Sequence, residues 1–194
     1  RIGRDCVRLP QTIIWGRTTV GEACTIGPNS RLVNASVGDR CLVDETIIVD
    51  SAIDDDVSCG PRAYLRGGAH FMRRSKAGTH VEIKGSEVGE GSKVPHLSYI
   101  GDARLGRGVN IGGGSITCNY DGKHKSRTEI GDHVFVGSDT MMVAPVEIGD
   151  NALVGAGSCI TQDVPAGALS LERSRQLIKE GWADLYWANL REED

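Results

Sequence analysis

The sequence predicts an all-β fold in which short parallel strands stack into a solenoid, and two observations predict it. Glycine accounts for 26 of the 194 residues, against an ordinary share of about 7%. Aliphatic residues also recur at gaps of six residues or multiples of six, often with glycine directly after them. This period fits neither a helix nor a long alternating strand. It fits strands of a few residues joined by tight corners, where Gly, Asn or Asp accepts a positive φ.

The repeat is clearest in the second half of the chain. It runs through Val88, Val94, Ile100, Leu105, Ile111 and Thr117, and again through Ile130, Val136, Met142, Ile148, Val154 and Ile160. Three such hexads close a triangular coil of about 18 residues, so the repeating part of the chain gives about nine coils. The alternative, a glycine-rich β-sandwich, would show turns about every 8 to 12 residues and strict alternation, which these segments lack.

Two segments depart from the repeat. Between Val43 and Gly78 the register is hard to follow, because charged residues stand where aliphatic ones are expected. The step from Thr117 to Ile130 is thirteen residues instead of six, so about seven residues should leave the solenoid as a loop within residues 118–126. Insertions of this kind often lie on the binding face of a solenoid.

We expect residues 1–165 to form the solenoid domain and residues 166–194 to form a tail. After Pro165 the hexads stop, and Leu171, Ile178, Trp182 and Leu185 follow at helix-like spacing that Gly181 interrupts. This pattern predicts an amphipathic helix or an extended arm over residues 170–190 that needs an apolar surface on its own coil or on a neighbour's.

Composition excludes several classes of partner. With 22 basic and 26 acidic side chains, we expect neither nucleic acid nor a membrane surface to bind. No apolar run approaches the length of a membrane span. The six cysteines form no CxxC pair, which is typical of free thiols in a cytoplasmic protein. The start has no signal pattern and no initiator Met, so it reads as part of a longer chain.

The register predicts a column of small residues headed by a histidine. Counting two residues past the aliphatic position in four successive coils gives His96, Gly113, Ser138 and Ala156. The column makes a groove about 14 Å long, where a ligand can approach backbone N–H groups closely. A single prism gives this groove only one wall, so we expect a homotrimer with C3 symmetry and three interfacial sites.

His96 is the candidate general base, because imidazole titrates near neutral pH. The alternative is a surface histidine without a catalytic role, as we expect for His70, His80, His124 and His133. Glu82 on the preceding coil either orients the imidazole or belongs to a solvated ion pair.

Two motifs near the centre of the chain are distinctive: PHLSYIGDA at residues 95–103 and VNIGGGSITCNYDG at residues 109–122. Shorter ones are VEIK at 81–84, FVGSD at 135–139, VAPV at 143–146 and KEGW at 179–182. Together they resemble the acetyltransferase half of the bacterial bifunctional UDP-N-acetylglucosamine pyrophosphorylase/glucosamine-1-phosphate N-acetyltransferases. That family implies a left-handed parallel β-helix of hexapeptide repeats and a cytoplasmic homotrimer. This sequence differs from the family at Gly67, where the family usually has Pro, and at Gly113, where the family usually has Ala.

The resemblance implies acetyl transfer from acetyl-CoA to the amine of glucosamine 1-phosphate, on the route to UDP-N-acetylglucosamine for peptidoglycan and lipopolysaccharide, with no metal in this domain. By position, His96 is the general base. The residues implied around the sugar phosphate are Arg66, Lys84, Tyr99, Asn110 and, for a neighbouring subunit's substrate, Lys125. Those implied around acetyl-CoA are Gly113, Asn119, Tyr120, Ser138, Ala156 and Arg173. No segment resembles the family's Mg-dependent nucleotidyltransferase domain, so we expect acetylation without uridylylation.

Three other functions are compatible with the same scaffold. One is an acetyltransferase that acts on another amino sugar or on a hydroxyl group. Another is a zinc hydratase, which needs three converging histidines, whereas His70 and His80 are expected on different faces. The third is a scaffold without catalytic activity, which would not bind acetyl-CoA.

Overall fold

A computed structural model describes residues 1–191, which form 27 strands and one helix. The strands are β1 (Val7–Arg8), β2 (Ile13–Trp15), β3 (Thr19–Val20), β4 (Thr25–Ile26), β5 (Arg31–Val33), β6 (Ser36–Val37), β7 (Leu42–Val43), β8 (Ile47–Val49), β9 (Ala52–Ile53), β10 (Ser58–Cys59), β11 (Tyr64–Arg66), β12 (His70–Phe71), β13 (Lys76–Thr79), β14 (Glu82–Lys84), β15 (Glu87–Val88), β16 (Lys93–His96), β17 (Tyr99–Gly101), β18 (Ala103–Leu105), β19 (Asn110–Ile111), β20 (Ile116–Cys118), β21 (Thr128–Ile130), β22 (Phe135–Val136), β23 (Met141–Val143), β24 (Val146–Ile148), β25 (Leu153–Val154), β26 (Cys159–Ile160) and β27 (Leu169–Ser170). The helix is α1 (Trp182–Arg191).

Three parallel sheets form the walls of a left-handed β-helix of about nine coils, which confirms the predicted fold class. The first sheet contains β1, every third strand after it up to β25, and then β27. The second sheet runs from β2 to β26 and the third from β3 to β24, again by every third strand. Each strand therefore pairs with the strands one coil below and one coil above it.

The core is a stack of aliphatic side chains inside the prism. In the second sheet Leu65 lies opposite Ile83 and Ile83 opposite Ile100, and all three are fully buried. Burying one such side chain stabilises the fold by about 1.5–3 kcal/mol. Because most coils contribute one such buried residue from each wall, the core is continuous along the axis.

Carboxylates at one corner reinforce the stacking. Asp39 Oδ1 accepts a hydrogen bond from the N–H of Glu22 at 2.7 Å, and Asp55 Oδ1 accepts one from the N–H of Asp39 at 2.9 Å. Asp150 bonds the N–H of Asp132 in the same way at 2.7 Å. Each bond satisfies a corner N–H that has left the sheet ladder.

The register continues through residues 43–78, where the sequence made it hard to follow. The buried positions there are Ile48, Ile53, Cys59, Leu65, Phe71 and Ala77. The charged residues that obscured the pattern lie at corners and on outward positions, as Arg66 does at the end of β11. The repeat was hidden because Cys, Phe and Ala fill core positions that elsewhere hold aliphatic residues followed by glycine.

The predicted loop is present between β20 and β21. It folds back on itself, because Tyr120 and Lys125 form an antiparallel bridge and Asp121 Oδ1 accepts hydrogen bonds from the N–H groups of Lys123 and His124 at 2.7 and 2.6 Å. β21 then resumes the register, since Ala103 pairs with Thr128.

The tail is an exposed extended segment followed by a short helix, in agreement with the helix or extended arm expected there. Strand β27 pairs with β25 beyond Pro165, the following residues are exposed, and helix α1 begins only after Gly181, whose φ is +72°. Trp182 and Tyr186 stack on the helix with ring centroids 5.3 Å apart. Of the residues described, those in α1 form too short and too polar a helix to cross a bilayer.

The cysteines remain free thiols, and three of them are buried: Cys24, Cys41 and Cys59. Burial raises the pKa of Cys24, and it raises the pKa of Cys41 to about 12. The pKa of the Cys59 thiol is raised for the same reason. Because the thiolate is the reactive form, these three thiols should be inert in the folded protein.

We therefore expect a disulfide reagent such as 5,5′-dithiobis(2-nitrobenzoic acid) at pH 8 to leave Cys24, Cys41 and Cys59 unmodified in the native protein. All six thiols should react after denaturation in guanidinium. Peptide mapping by mass spectrometry identifies the sites, with the half-buried Cys6 as the internal comparison. Equal native rates at Cys6 and Cys41 would contradict the burial of the Cys41 thiol.

Candidate active site

The column expected from the register lies along one corner of the prism. His96 ends β16, and Gly113, Ser138 and Ala156 follow β19, β22 and β25 in the same sheet. A Cβ atom added to Gly113 would lie 3.3 Å from His96 Cβ. The N–H of Asp139 donates to the Gly113 carbonyl at 2.8 Å, so the coils carrying these residues are in contact. His96, Ser138 and Ala156 are exposed and Gly113 is half-buried, which leaves the groove open to a ligand.

Backbone N–H groups line this groove without intramolecular partners. The residue before each small one donates to the next coil: Gly112 N–H to the Val136 carbonyl at 2.7 Å and Gly137 N–H to the Val154 carbonyl at 2.8 Å. Among the hydrogen bonds of residues 1–191, none uses the N–H of Gly113, Ser138 or Ala156. A ligand in the groove can therefore accept from them.

A cationic cluster lies on the second sheet, around the corner from His96. Arg66 and Lys84 are direct neighbours in register, and Tyr99 begins the next strand of that sheet. Glu82 Oε1 lies 2.7 Å from Arg66 Nη2, and Asp102 Oδ1 lies 2.8 Å from Lys84 Nζ. These hydrogen bonds raise the pKa of Arg66 and of Lys84. The cluster therefore stays fully charged at neutral pH.

His96 lies at the head of the column, and the two cations lie at the other end of the neighbouring second-sheet wall. The Ser98 hydroxyl donates to the His96 carbonyl at 2.6 Å and fixes the turn between β16 and β17. Within residues 1–191 no hydrogen bond joins Glu82 to His96, because the Glu82 carboxylate is taken by Arg66. Of the two possibilities for Glu82, the structure has the ion pair.

The remaining residues implied by the resemblance are spread over three places. Asn110 lies on the first sheet between Lys93 and Phe135, on a different wall from Arg66 and Lys84. Asn119, Tyr120 and Lys125 lie in the extruded loop. At the far end of the column, Arg173 Nη1 donates to the Ala156 carbonyl at 2.9 Å. Within a single chain, therefore, the loop is connected to the cationic cluster, whereas Asn110 lies away from that cluster on another wall.

Asp102 belongs to the site and was missed from the sequence. Its carboxylate accepts hydrogen bonds from Lys84 Nζ and, at 2.6 Å, from Asn119 Nδ2. Burial raises the pKa of this carboxyl, but the hydrogen bonds from Lys84 and Asn119 lower it by more, so the pKa lies below its usual range. The register could have revealed it, since Asp102 follows the strand below the one that Asn119 follows.

The histidines considered for a zinc site do not come together. His70 lies on the third sheet, where its Nε2 is 2.8 Å from Asp54 Oδ1. His96 lies at the corner between the first and second sheets. In the part of the chain that is described, no three His, Cys, Asp or Glu side chains converge as metal ligands.

Comparison with known proteins agrees with the repeat. Residues 127–162 match the family model described as bacterial transferase hexapeptide (six repeats), and residues 17–51 match the hexapeptide repeat of succinyl-transferase. Over 181 residues the chain is 55% identical to the bifunctional protein GlmU of Heliobacterium modesticaldum, covering 93% of this chain and 40% of that protein. The GlmU of Thermotoga petrophila is also 55% identical, with 93% and 41% covered. The chain thus spans about two fifths of the length of these relatives.

Solved structures share the fold at low sequence identity. The polySia-specific acetyltransferase NeuO superposes with a TM-score of 0.55 at 17% identity over 98% of both chains. UDP-N-acetylglucosamine O-acyltransferase (LpxA) from Moraxella catarrhalis gives 0.52 at 16% identity, covering 93% of this chain and 76% of that one.

Two adjacent glycines test the packing beneath the groove. A Cβ at Gly112 would lie 2.4 Å from the backbone N of Ser138, whereas a Cβ at Gly113 would lie 3.3 Å from His96 Cβ and 3.8 Å from the His96 carbonyl oxygen. We expect Gly112→Ala to lower the free energy of unfolding by about 1–3 kcal/mol and Gly113→Ala to change it by less than about 0.5 kcal/mol. Denaturant melts at matched protein concentration measure both. Equal losses in the two variants would show that the coils do not approach at Gly112 as described.

Proposed function

Because the chain belongs to the hexapeptide-repeat transferases and matches GlmU proteins over 93% of its length, we propose that it transfers an acetyl group from acetyl-CoA to the amine of glucosamine 1-phosphate. The product is N-acetylglucosamine 1-phosphate. The observation that carries the proposal is the placement of His96, which stands between a column of unpartnered N–H groups and a pair of stacked cations.

His96 is the general base of this reaction. The sugar amine must be neutral to attack the thioester carbonyl, and imidazole accepts its proton near neutral pH. The attack forms a C–N bond and a tetrahedral intermediate, which then breaks its C–S bond and releases CoA as the thiol. A thioester is already activated, so no acyl-enzyme is needed. Cys118, whose pKa is raised by burial, stays a thiol and a bystander.

The N–H of Gly113 is the candidate donor to the oxyanion of that intermediate. It lies next to His96 and has no intramolecular acceptor among residues 1–191. A fixed backbone donor stabilises developing charge without reorganisation, and loss of one such donor typically costs about 10²–10³ in rate. Glycine or alanine at this position keeps the donor and leaves room for the thioester.

The cationic cluster binds the phosphate of the sugar. Arg66 offers a planar fork of donors and Lys84 a point charge, which together suit a phosphate dianion. Tyr99, beside them on the same sheet, would contact the sugar. The amine of glucosamine 1-phosphate is on C2, next to the C1 that carries the phosphate, so the cluster would hold the phosphate while the neighbouring amine turns toward His96.

Acetyl-CoA would lie along the column, with its thioester at Gly113 and its extended arm past Ser138 and Ala156. Arg173 at the far end of the column supplies a cation for the coenzyme's phosphates. Asn119 and Tyr120 would contact the coenzyme from the loop, which leaves the prism at the other end of the second-sheet wall.

A homotrimer supplies the second wall of each site. In the coils around the site, the outward residues Glu87, Arg104 and Glu129 of the third sheet are charged, whereas Phe135 and Leu153 on the first sheet are half-exposed apolar side chains. The first sheet therefore suits burial against a neighbour. Since Asn110 lies on that wall, a sugar phosphate that contacts both Asn110 and Arg66 must lie between two chains, and Lys125 can then reach a neighbour's substrate. We place the protein in the cytoplasm, where thiols stay reduced.

The activity is tested by thiol release from acetyl-CoA. We expect release with glucosamine 1-phosphate and at most a small fraction of it with glucosamine, which lacks the phosphate that Arg66 and Lys84 bind. The product is identified by its mass. Faster thiol release with glucosamine, or with an acceptor hydroxyl, would show that the acetyl acceptor is not glucosamine 1-phosphate. If acetyl-CoA does not bind, the protein is a scaffold without catalytic activity.

The base is tested with a matched pair of histidine variants. His96→Asn should lower kcat by about 10²–10⁴, whereas His133→Asn, at an exposed corner with a φ of +58° that Asn tolerates, should not change it. Both variants should sediment like the wild type, at three times the 20.7 kDa of one chain. Near-normal turnover in His96→Asn would refute the assignment.

A further inference from the structure

The loop after β20 leaves the prism at the corner where the Asp102 carboxylate lies. Asp102 follows β17, and the residues at the same corner one coil below and one coil above it are Gly85 and Asn119. Asp102 has a left-handed φ of +49°, as other residues of this corner do. It therefore stands between the coil that carries Lys84 and the coil from which the loop emerges.

The Asp102 carboxylate joins these two coils through side chains. Lys84 Nζ donates to its two oxygens at 2.8 and 3.0 Å, and Asn119 Nδ2 donates to Oδ2 at 2.6 Å. With side chains 19% and 22% exposed, Lys84 and Asp102 form the most buried ion pair among residues 1–191. Charged hydrogen bonds shielded from water are stronger than those on the surface.

The coil itself does not need this arrangement. Three coils below, Asp50 occupies the same corner with a φ of +46° and accepts a hydrogen bond from Asn34 Nδ2 at 3.0 Å. Asn34 Oδ1 in turn accepts from the N–H of Arg17 at 3.1 Å. These two hydrogen bonds involve only residues of the corner, whereas Asp102 holds a cation of the candidate phosphate site and a residue of the loop.

We propose that Asp102 is a positioning residue that holds Lys84 and the Asn119 loop in one arrangement, so that the sugar phosphate and acetyl-CoA depend on the same carboxylate. This inference rests on the proposed function, because it takes Lys84 as a phosphate ligand and Asn119 as a coenzyme ligand. Asp102 itself touches neither substrate. It fixes the ammonium group from one side and anchors the first residue of the loop from the other.

Asp102→Asn tests the proposal, with Asp50→Asn as the matched control, since Asn accepts the left-handed φ at both corners. An amide keeps the shape but removes the negative charge, and if its oxygen bonds Asn119, its NH2 group replaces the oxygen that lies 2.8 Å from Lys84 Nζ. The hold on Lys84 and Asn119 is therefore weakened. We expect the KM for glucosamine 1-phosphate and the KM for acetyl-CoA each to rise about tenfold in Asp102→Asn, with kcat little changed. Asp50→Asn should change neither KM.

Amide hydrogen exchange of residues 119–127 tests the anchor independently of activity. The N–H of Ser126, which donates to the Asn119 carbonyl at 2.9 Å, should exchange faster in Asp102→Asn and at the wild-type rate in Asp50→Asn. In an Asn119→Ala background, Asp102→Asn should still raise the KM for the sugar phosphate but no longer that for acetyl-CoA.

Two results would overturn the inference. One is a variant that melts earlier but keeps both KM values and the loop exchange rate, since Asp102 would then be a structural corner residue only. The other is a lower KM for the sugar phosphate, since the carboxylate would then only repel the phosphate. If the wild-type protein fails to acetylate glucosamine 1-phosphate, the proposed function is wrong, and the exchange rates still decide whether Asp102 holds the loop.

Discussion

The solenoid and its candidate site depend on the hydrogen-bonded stacking of parallel strands between successive coils. The backbone of each strand is hydrogen-bonded to the equivalent strands of the coils above and below. The wall on which a residue lies and the coil to which it belongs therefore follow from its position in the repeat. A side chain has little freedom to move away from that position. The site is consequently a set of vertical columns, and close approach of the coils at Gly112 and Gly137 is what brings the column residues into contact.

The same stacking places charges directly above one another, with opposite signs at some positions and like signs at others. On the third sheet Glu87 lies opposite Arg104 and Arg104 opposite Glu129, but Glu129 lies opposite Glu147. On the second sheet Arg66 lies opposite Lys84. Like charges directly opposite are destabilising, and here Glu82 and Asp102 offset the repulsion. An arrangement that costs stability and is held by two further side chains is typical of a binding site.

Counting the repeat along the sequence predicted the features that the stacking of the coils determines, and few others. It gave the walls, the column headed by His96 and the position of the loop. It missed the continuous register at residues 43–78, because Cys59, Phe71 and Ala77 do not look like the other core positions. It could not assign the partner of Glu82 or the two partners of Asp102, because those depend on where side chains point. It left the tail open between a helix and an extended arm, because the tail lacks the stacking that makes the count reliable.

A solenoid can build such a site without disturbing its core. The thirteen-residue step between Thr117 and Ile130 leaves the ladder intact, because both residues keep their inward, buried positions. The cost of ordering the inserted residues must then be offset locally. The Tyr120–Lys125 bridge, the Asp121 turn and the Asp102–Asn119 hydrogen bond do this, and the last of them also connects the loop to the cationic cluster. Stability of the loop and geometry of the site therefore depend on the same contact, so neither can change alone.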